Sequence, residues 1–244
     1  MHKNTQNKKS LTLGLPCFNE ENNIQKVIFN CVKILIKNFN NWELIIVDNK
    51  STDSTIIKIN KIIASFKKKV KKKIKLVQNK ENINYSGSTE KIINSSKYEY
   101  VCILDSDNQY APSDIIKLYN YAYKNNIDLL IGNRHDRKDS FFRIIVTIFL
   151  NKISKIFIGS IVSDINCGIK LIKKIGKIKL IRINSANPEL LCVYKRENKK
   201  IAEIKVKHYH RKTGDSVNTF KNIFFSVIKY LRYLLKIKKK YHKY

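Results

Sequence analysis

The segment Tyr98-Glu99-Tyr100-Val101-Cys102-Ile103-Leu104-Asp105-Ser106-Asp107-Asn108-Gln109 drives four apolar residues, Val101 to Leu104, into two carboxylates separated by one small residue. A short apolar run bounded by polar residues predicts a buried strand, here of a parallel sheet. In open α/β sheets the ligand crevice lies beyond the carboxyl ends of such strands. Asp105 and Asp107 therefore stand where a metal-bound ligand is expected. Two hard oxygen donors that close together suit a divalent ion that takes its other ligands from phosphate. The same residues also allow a helix N-cap, since Asp107 and Ser113 both precede a helical pattern and Asp caps well.

Upstream, apolar runs at residues 11–15, 42–47 and 74–78 predict three more strands. Between them Ile24, Val27, Ile28, Cys31, Val32 and Leu35 recur at helical spacing, and further helices are expected over residues 54–66 and 88–96. Downstream a helix opens at Pro112-Ser113-Asp114, and Asp128-Leu129-Leu130-Ile131-Gly132 is another strand leading into Arg134. Alternating strands and helices predict an α/β domain whose mostly parallel sheet is flanked by helices. Residues 141–157 and 220–235 differ: each is a helical pattern with a strongly apolar stripe and interleaved Lys and Arg. Basic helices of this kind suit either a membrane interface or packing on the domain. For residues 141–157 both stay open. For the terminal helix a membrane interface is expected, because nothing after it remains to cover the stripe. The expected organisation is one domain over residues 1–218 and a basic amphipathic helix over 219–244.

Of 244 residues, 49 are Lys or Arg and 19 are Asp or Glu, a formal charge of +30. Such a surface attracts polyanions, acidic lipid headgroups among them. Lys, Asn and Ile are enriched along the whole chain, however, so the charge marks a compositional bias more than a site. The five cysteines, Cys17, Cys31, Cys102, Cys167 and Cys192, are widely spaced and include no C-x-x-C pair. They read as small buried residues in a reducing compartment. The first ten residues lack the apolar core of a signal peptide, and no run approaches the roughly 20 apolar residues of a membrane span. A soluble or peripheral protein is expected.

Taken in order, four segments resemble family 2 glycosyltransferases, in particular the polyprenyl-phosphate branch that includes the dolichyl-phosphate mannosyltransferase-like enzymes. They are Leu15-Pro16-Cys17-Phe18-Asn19-Glu20-Glu21-Asn22, Val47-Asp48-Asn49-Lys50-Ser51-Thr52-Asp53, Asp105-Ser106-Asp107, and Asp164-Ile165-Asn166-Cys167-Gly168-Ile169-Lys170-Leu171. The resemblance spans residues 11–216 and implies the GT-A fold. It implies an inverting transfer of a sugar from a nucleotide donor, GDP- or UDP-linked, to a polyprenyl phosphate of the dolichyl or undecaprenyl type. The site would lie at the cytoplasmic face of a membrane, with Mg2+ or Mn2+ as cofactor. Asp105, Asp107 and Gln109 would hold the metal. Pro16, Phe18, Glu20, Asp48, Asn49, Asp105 and Ser106 would bind the nucleotide sugar. Arg134 follows a strand end as in the family's Gly-x-Arg motif, and Arg211, Gly214 and Ser216 match a late Arg-x-x-Gly-x-Ser motif. Arg134, Arg211 and Ser216 would grip the acceptor phosphate, a task that suits a forked guanidinium. Asp107, Arg134 and Arg211 would carry catalysis.

The chain departs from the family pattern at Asn49, where a second acid is usual, and around residues 82–88, where Gly87 is the one glycine left. The nucleotide's identity stays open accordingly. A phosphate acceptor is ionised near neutral pH and needs little or no general base. A hydroxyl acceptor on a glycan or glycolipid, the alternative within the same family, would need one. Glu189 is the candidate base, with a capping or structural role as its plainer reading. His208 and His210, alternate residues on one strand face, form a possible metal pair without an evident third ligand. A membrane-spanning partner subunit is compatible with the branch. A non-catalytic basic membrane or nucleic-acid adaptor is the remaining class, but no nucleic-acid motif or basic-aromatic platform supports a nucleic-acid partner.

Overall fold

The computed structural model describes residues 9–135, 141–159, 162–210 and 223–241. Seven strands form one sheet: β1 (Ser10–Cys17), β2 (Asn41–Asp48), β3 (Ile74–Gln78), β4 (Tyr100–Ile103), β5 (Leu129–His135), β6 (Lys170–Lys173) and β7 (Ile201–Lys207), in the order β3-β2-β1-β4-β6-β5-β7. β1, β2, β3 and β4 run parallel, β5 and β7 run parallel to each other, and β6 is antiparallel to both its neighbours. The apolar run that ends in Asp105 is thus a strand buried along its length. Its register with β1, Thr12 opposite Val101 and Gly14 opposite Ile103, sets the carboxylates beyond the ends of both strands.

The helices between the early strands are α1 (Ile24–Asn38), α2 (Thr55–Ser65), α3 (Lys68–Lys71) and α4 (Asn84–Ser95). The predicted stripe of α1, from Ile24 to Leu35, is buried as a unit. α4 lies close against β1: a Cβ at Gly14 would collide with the Ile92 side chain, so glycine is what permits the approach. After β4 comes α5 (Ser113–Asn125), closed by Asn126 in the left-handed conformation at φ 51°. Pro112 precedes the first turn, and the Asp107 carboxylate instead accepts the Gln109 backbone N–H at 3.2 Å. The helix-cap reading of Asp107 does not hold.

The later helices are α6 (Phe141–Ile158), α7 (Asn187–Arg196) and α8 (Ile223–Tyr241). Tyr230, Tyr233, Leu234 and Ile237 of α8 are buried in the same core as the sheet, against α6 and α7, while of the predicted stripe Val227, Ile228 and Leu231 are half-buried and Leu235 is exposed. Within its described residues the terminal helix is therefore part of the domain rather than an appendage. α6 is the helix with the bare flank, where Ile145, Ile148, Phe149 and Ile156 are all exposed. Among the described residues no helix is long and apolar enough to cross a membrane.

Candidate functional site

Beyond the carboxyl ends of β1, β2 and β4, at the point where the strand order reverses about β1, the chain leaves two adjoining cavities of about 390 and 400 Å3. The first is lined by Pro16, Phe18, Glu20, Asn49, Ser106 and residues of the α4 approach. The second lies under α6, α7 and α8 and is lined by Arg134, Leu150, Asn187, His208 and Tyr230 among others. Asp105, Asp107, Tyr85 and Asn184 line both, so the carboxylate pair is the wall between them.

Each side of the wall is built from local geometry. Ser106 donates from Oγ to the Pro16 carbonyl at 2.9 Å, which ties the turn after β4 to the end of β1. Asp48 accepts the Ser51 backbone N–H on Oδ2 at 3.1 Å, while its buried Oδ1 has no hydrogen-bond partner among the described residues. Asn49 is committed to the protein: its Oδ1 accepts from Asn79 at 3.1 Å and from the Ile83 backbone at 2.9 Å, and its Nδ2 donates to Asn82 at 2.7 Å. It pins the glycine-poor segment before α4, a job an unprotonated carboxylate could not do in full because it has no N–H to give. Glu20 accepts from Asn23 at 2.8 Å.

Asp105 is gripped from two directions. Tyr85 of α4 donates its hydroxyl to Oδ1 at 2.8 Å. On the other flank the backbone at Gly168 comes so close that any Cβ there would overlap the carboxylate. Gly168 is held in turn by its N–H, which donates to the Tyr110 hydroxyl at 2.8 Å. Burial, and then the Asp105 charge, push the Tyr85 phenol well above its ordinary range, so it remains a donor. Gln109 is anchored by its amide nitrogen on the Tyr209 carbonyl at 3.1 Å and by a backbone bond from Tyr209 at 2.8 Å.

Arg134 is the penultimate residue of β5 and lines the second cavity. Its guanidinium is engaged by Asp164 at 2.6 and 2.7 Å. Burial lowers the guanidinium's affinity for its proton, but this pairing more than restores it. Arg211, Gly214 and Ser216 lie outside the described residues. Glu189 lines neither cavity: it is fully buried at the foot of α8, accepting from Lys240 at 2.8 Å, Tyr241 at 2.9 Å and the Ile181 backbone at 2.7 Å. Its role is the structural one. His208 is buried edge-on to Tyr110 while His210 is exposed, so the two do not share an environment. All five cysteines are buried thiols; burial pushes Cys167, beside the site, up to about 12.

The residues that sequence patterns missed are Tyr85, Tyr110 and Lys170. Lys170 on β6 is fully buried and donates to the Tyr85 hydroxyl at 2.9 Å. Burial lowers its pKa, and the Asp105 charge pulls it part of the way back.

The family model of glycosyl transferase family 2 matches residues 12–180, and the chain belongs to that family. It is similar to the dodecaprenyl-phosphate galacturonate synthase of Rhizobium johnstonii, 26% identical over 91% of this chain and 68% of that protein. It is also similar to the undecaprenyl-phosphate 4-deoxy-4-formamido-L-arabinose transferase of Pectobacterium atrosepticum, 23% identical over 87% of this chain and 63% of that one. In three dimensions it resembles glucosyl-3-phosphoglycerate synthase of Mycobacterium tuberculosis, with a TM-score of 0.68 at 17% identity, covering 94% of this chain and 80% of that one. The fold is GT-A, and the protein is a glycosyltransferase. The mycobacterial synthase has been crystallised with Mn2+, UDP-glucose and phosphoglyceric acid.

Proposed function

We propose that this enzyme moves a sugar, with inversion, from a nucleotide diphosphate donor to a polyprenyl phosphate at a membrane surface. The observation that carries it is the wall: two cavities of nearly equal size meet at Asp105 and Asp107, one built from the β1 and β2 ends and the other roofed by α6 and α8. The first is the donor cavity, with Pro16, Phe18, Glu20 and Ser106 along it and the unpartnered Asp48 Oδ1 behind it as an acceptor for a base or ribose donor. UDP is the favoured nucleotide, supported by the mycobacterial synthase; GDP is the alternative to screen.

The donor set fits a divalent ion. Among the described residues no three His, Cys, Asp or Glu side chains gather into a metal cage. A pair of carboxylates is what a hard ion needs when diphosphate oxygens supply the rest. Asp105 and Asp107 would hold Mn2+ or Mg2+ with the amide oxygen of Gln109, whose nitrogen is already taken by Tyr209. The ion would supply charge neutralisation for the departing diphosphate. The chain's own part is to keep the Asp105 carboxylate aimed through Tyr85 and Gly168.

The second cavity is the acceptor's. Arg134 supplies positive charge there, and Arg211 and Ser216 are proposed to join it from outside the described residues. The apolar flank of α6 gives a lipid chain a way out of the same helix that lines the cavity: Thr147 and Leu150 face in, Ile148 and Phe149 face out. The exposed lysines and arginine of α8 add attraction for anionic lipid. Attachment to the cytoplasmic leaflet, with or without a membrane-spanning partner, is part of this proposal. A hydroxyl acceptor is disfavoured because Glu189, the candidate base, is sequestered.

The test is incubation of the purified protein with UDP- and GDP-sugars, a polyprenyl phosphate and Mn2+ or Mg2+. A lipid-linked sugar is expected for one donor. Transfer to a soluble glycan hydroxyl, with none to lipid phosphate, would overturn the acceptor assignment.

A further inference from the structure

Among the described residues Lys170 is the fully buried cation that reaches the wall through hydrogen bonds, and it also lines the second cavity. It stands on β6 opposite Ile103 of β4 and Ile131 of β5, so its backbone is fixed by two strand ladders and not by a loop. Its ammonium lies over the Tyr85 ring, 5.1 Å from the centroid, and donates to the Tyr85 hydroxyl at 2.9 Å. That hydroxyl passes the polarisation on, donating to Asp105 Oδ1 at 2.8 Å. Away from water such a charge acts on its neighbours far more strongly than it would at a surface.

We propose that Lys170, acting through Tyr85, is a positioning residue that makes the Asp105–Asp107 pair take up a divalent ion together with an anionic diphosphate rather than alone. The inference rests on the donor reading given above. Two ionised carboxylates would by themselves neutralise a divalent ion and bind it free. With the Lys170 ammonium held against Asp105 through Tyr85, part of the pair's negative charge is offset, and free-ion binding weakens. A diphosphate arriving with the ion reverses the balance, because its negative charge then meets the ion and the ammonium together. The Tyr85 hydroxyl meanwhile occupies one direction of approach to Oδ1. The backbone at Gly168 keeps the carboxylate from swinging away from the wall. The carboxylate is thus ready before the donor arrives, yet selective for the ion in its diphosphate-bound form.

Calorimetry with Mn2+ alone, UDP alone and both together, on the wild type, Lys170→Met and Tyr85→Phe, tests this. For Lys170→Met, binding of Mn2+ alone is expected to tighten on the order of tenfold or more. The gain in Mn2+ affinity on adding UDP should shrink by a similar factor. Tyr85→Phe, which removes the link but not the charge, should move both quantities the same way by less. A merely structural role for Lys170 would weaken Mn2+ binding or leave it unchanged, and either result in a folded Lys170→Met protein overturns the assignment. Should that variant fail to fold, Tyr85→Phe decides, and wild-type Mn2+ affinity there overturns it. If the wild type takes up Mn2+ with neither UDP nor GDP, the donor reading fails and this inference falls with it. If the wild type shows the coupling and only the variants do not respond, the donor reading stands and Lys170 is acquitted.

Discussion

Arg134 and Asp164 meet as a two-point fork, Nε 2.6 Å from Oδ2 and a terminal nitrogen 2.7 Å from Oδ1, and the Arg134 backbone N–H adds a third bond to Oδ2 at 3.1 Å. Both side chains are nearly dry, at 11% and 8% exposure. The pair joins the end of β5 to the loop that carries Gly168, so it holds two parts of the second cavity's wall in register. Asp164→Ala strands a buried guanidinium and should lower stability by about 3–5 kcal/mol. Arg134→Lys keeps the charge but not the fork, and should lose part of that. Urea unfolding followed by circular dichroism measures both. A loss under about 1 kcal/mol for Asp164→Ala, the range of a surface pair, would contradict the burial argument.

Gly168→Ala places a methyl group on the Asp105 carboxylate and near the Tyr110 ring. The side chain must swing out of the wall. Mn2+-dependent nucleotide binding should fall by an order of magnitude or more, since off-geometry carboxylates are poor ligands. Metal-independent nucleotide binding should suffer less. Equal losses with and without the ion would mean that the substitution harms the fold and not the carboxylate.

Asp114 is buried at the start of α5 and accepts the Lys207 backbone N–H at 3.2 Å. Burial raises its pKa, against the pull of that hydrogen bond and of Lys117 and Lys207. The folded chain therefore keeps a proton at a pH where the unfolded carboxyl, near 3.9, has lost it. The stability this contributes is complete below that pH and is lost as pH rises through the folded value. Asp114→Asn should raise the urea midpoint at pH 7, and the gain should vanish near pH 3. A variant less stable at pH 7 would show that the ionised form is worth more than its burial costs.

Glu189 fastens the last turns of α8 from beneath. Glu189→Ala leaves the Ile181 N–H and the Tyr241 hydroxyl without their acceptor, at a cost of about 1–3 kcal/mol. Little of this comes from Lys240, which is 39% exposed and solvated once released. Limited proteolysis should cut within α8 sooner. Lipid transfer should decline before nucleotide binding does, because α8 lines only the acceptor cavity. A parallel loss of both would place Glu189 in a wider role.

For the membrane, the double variant Ile148→Asp and Phe149→Asp sets two charges on the bare flank of α6. Each side chain now stands about half exposed. Sedimentation with anionic phosphatidylserine vesicles should weaken about tenfold or more, given roughly 1.5–3 kcal/mol for each large apolar side chain that enters the bilayer. Unchanged sedimentation would move the contact to the basic face of α8 or to a partner protein.

The sheet's first half was legible because each element repeats its own period: α1 buries the stripe its spacing predicts, and β1, β2 and β4 are short, mostly apolar and buried runs that lead into the residues of the site. The short antiparallel β6 and the late β7 carried no comparable signal. The contact of Lys170 with Tyr85 was invisible for that reason: the two lie 85 positions apart, and only the insertion of β6 beside β4 brings them together. The stripes of α6 and α8 look alike as sequence, since a helix face reads the same whether protein or lipid covers it. Asn49 looked like a lost acid. In the fold its amide is an answer to Asn79, Asn82 and Ile83, a demand set by a loop 30 to 34 residues away.

The shared wall has a consequence for fidelity. Under the proposed function donor and acceptor lie on opposite sides of Asp105 and Asp107, so whatever fills the second cavity confronts the sugar, and water is the smallest candidate. Val146, Leu150 and Val227 line that cavity beside its polar groups and give water few partners there. The rate at which the enzyme wastes donor by hydrolysis should then depend on whether the lipid seat is taken. A cavity of about 400 Å3, left empty, is where squandered sugar nucleotide would be traced.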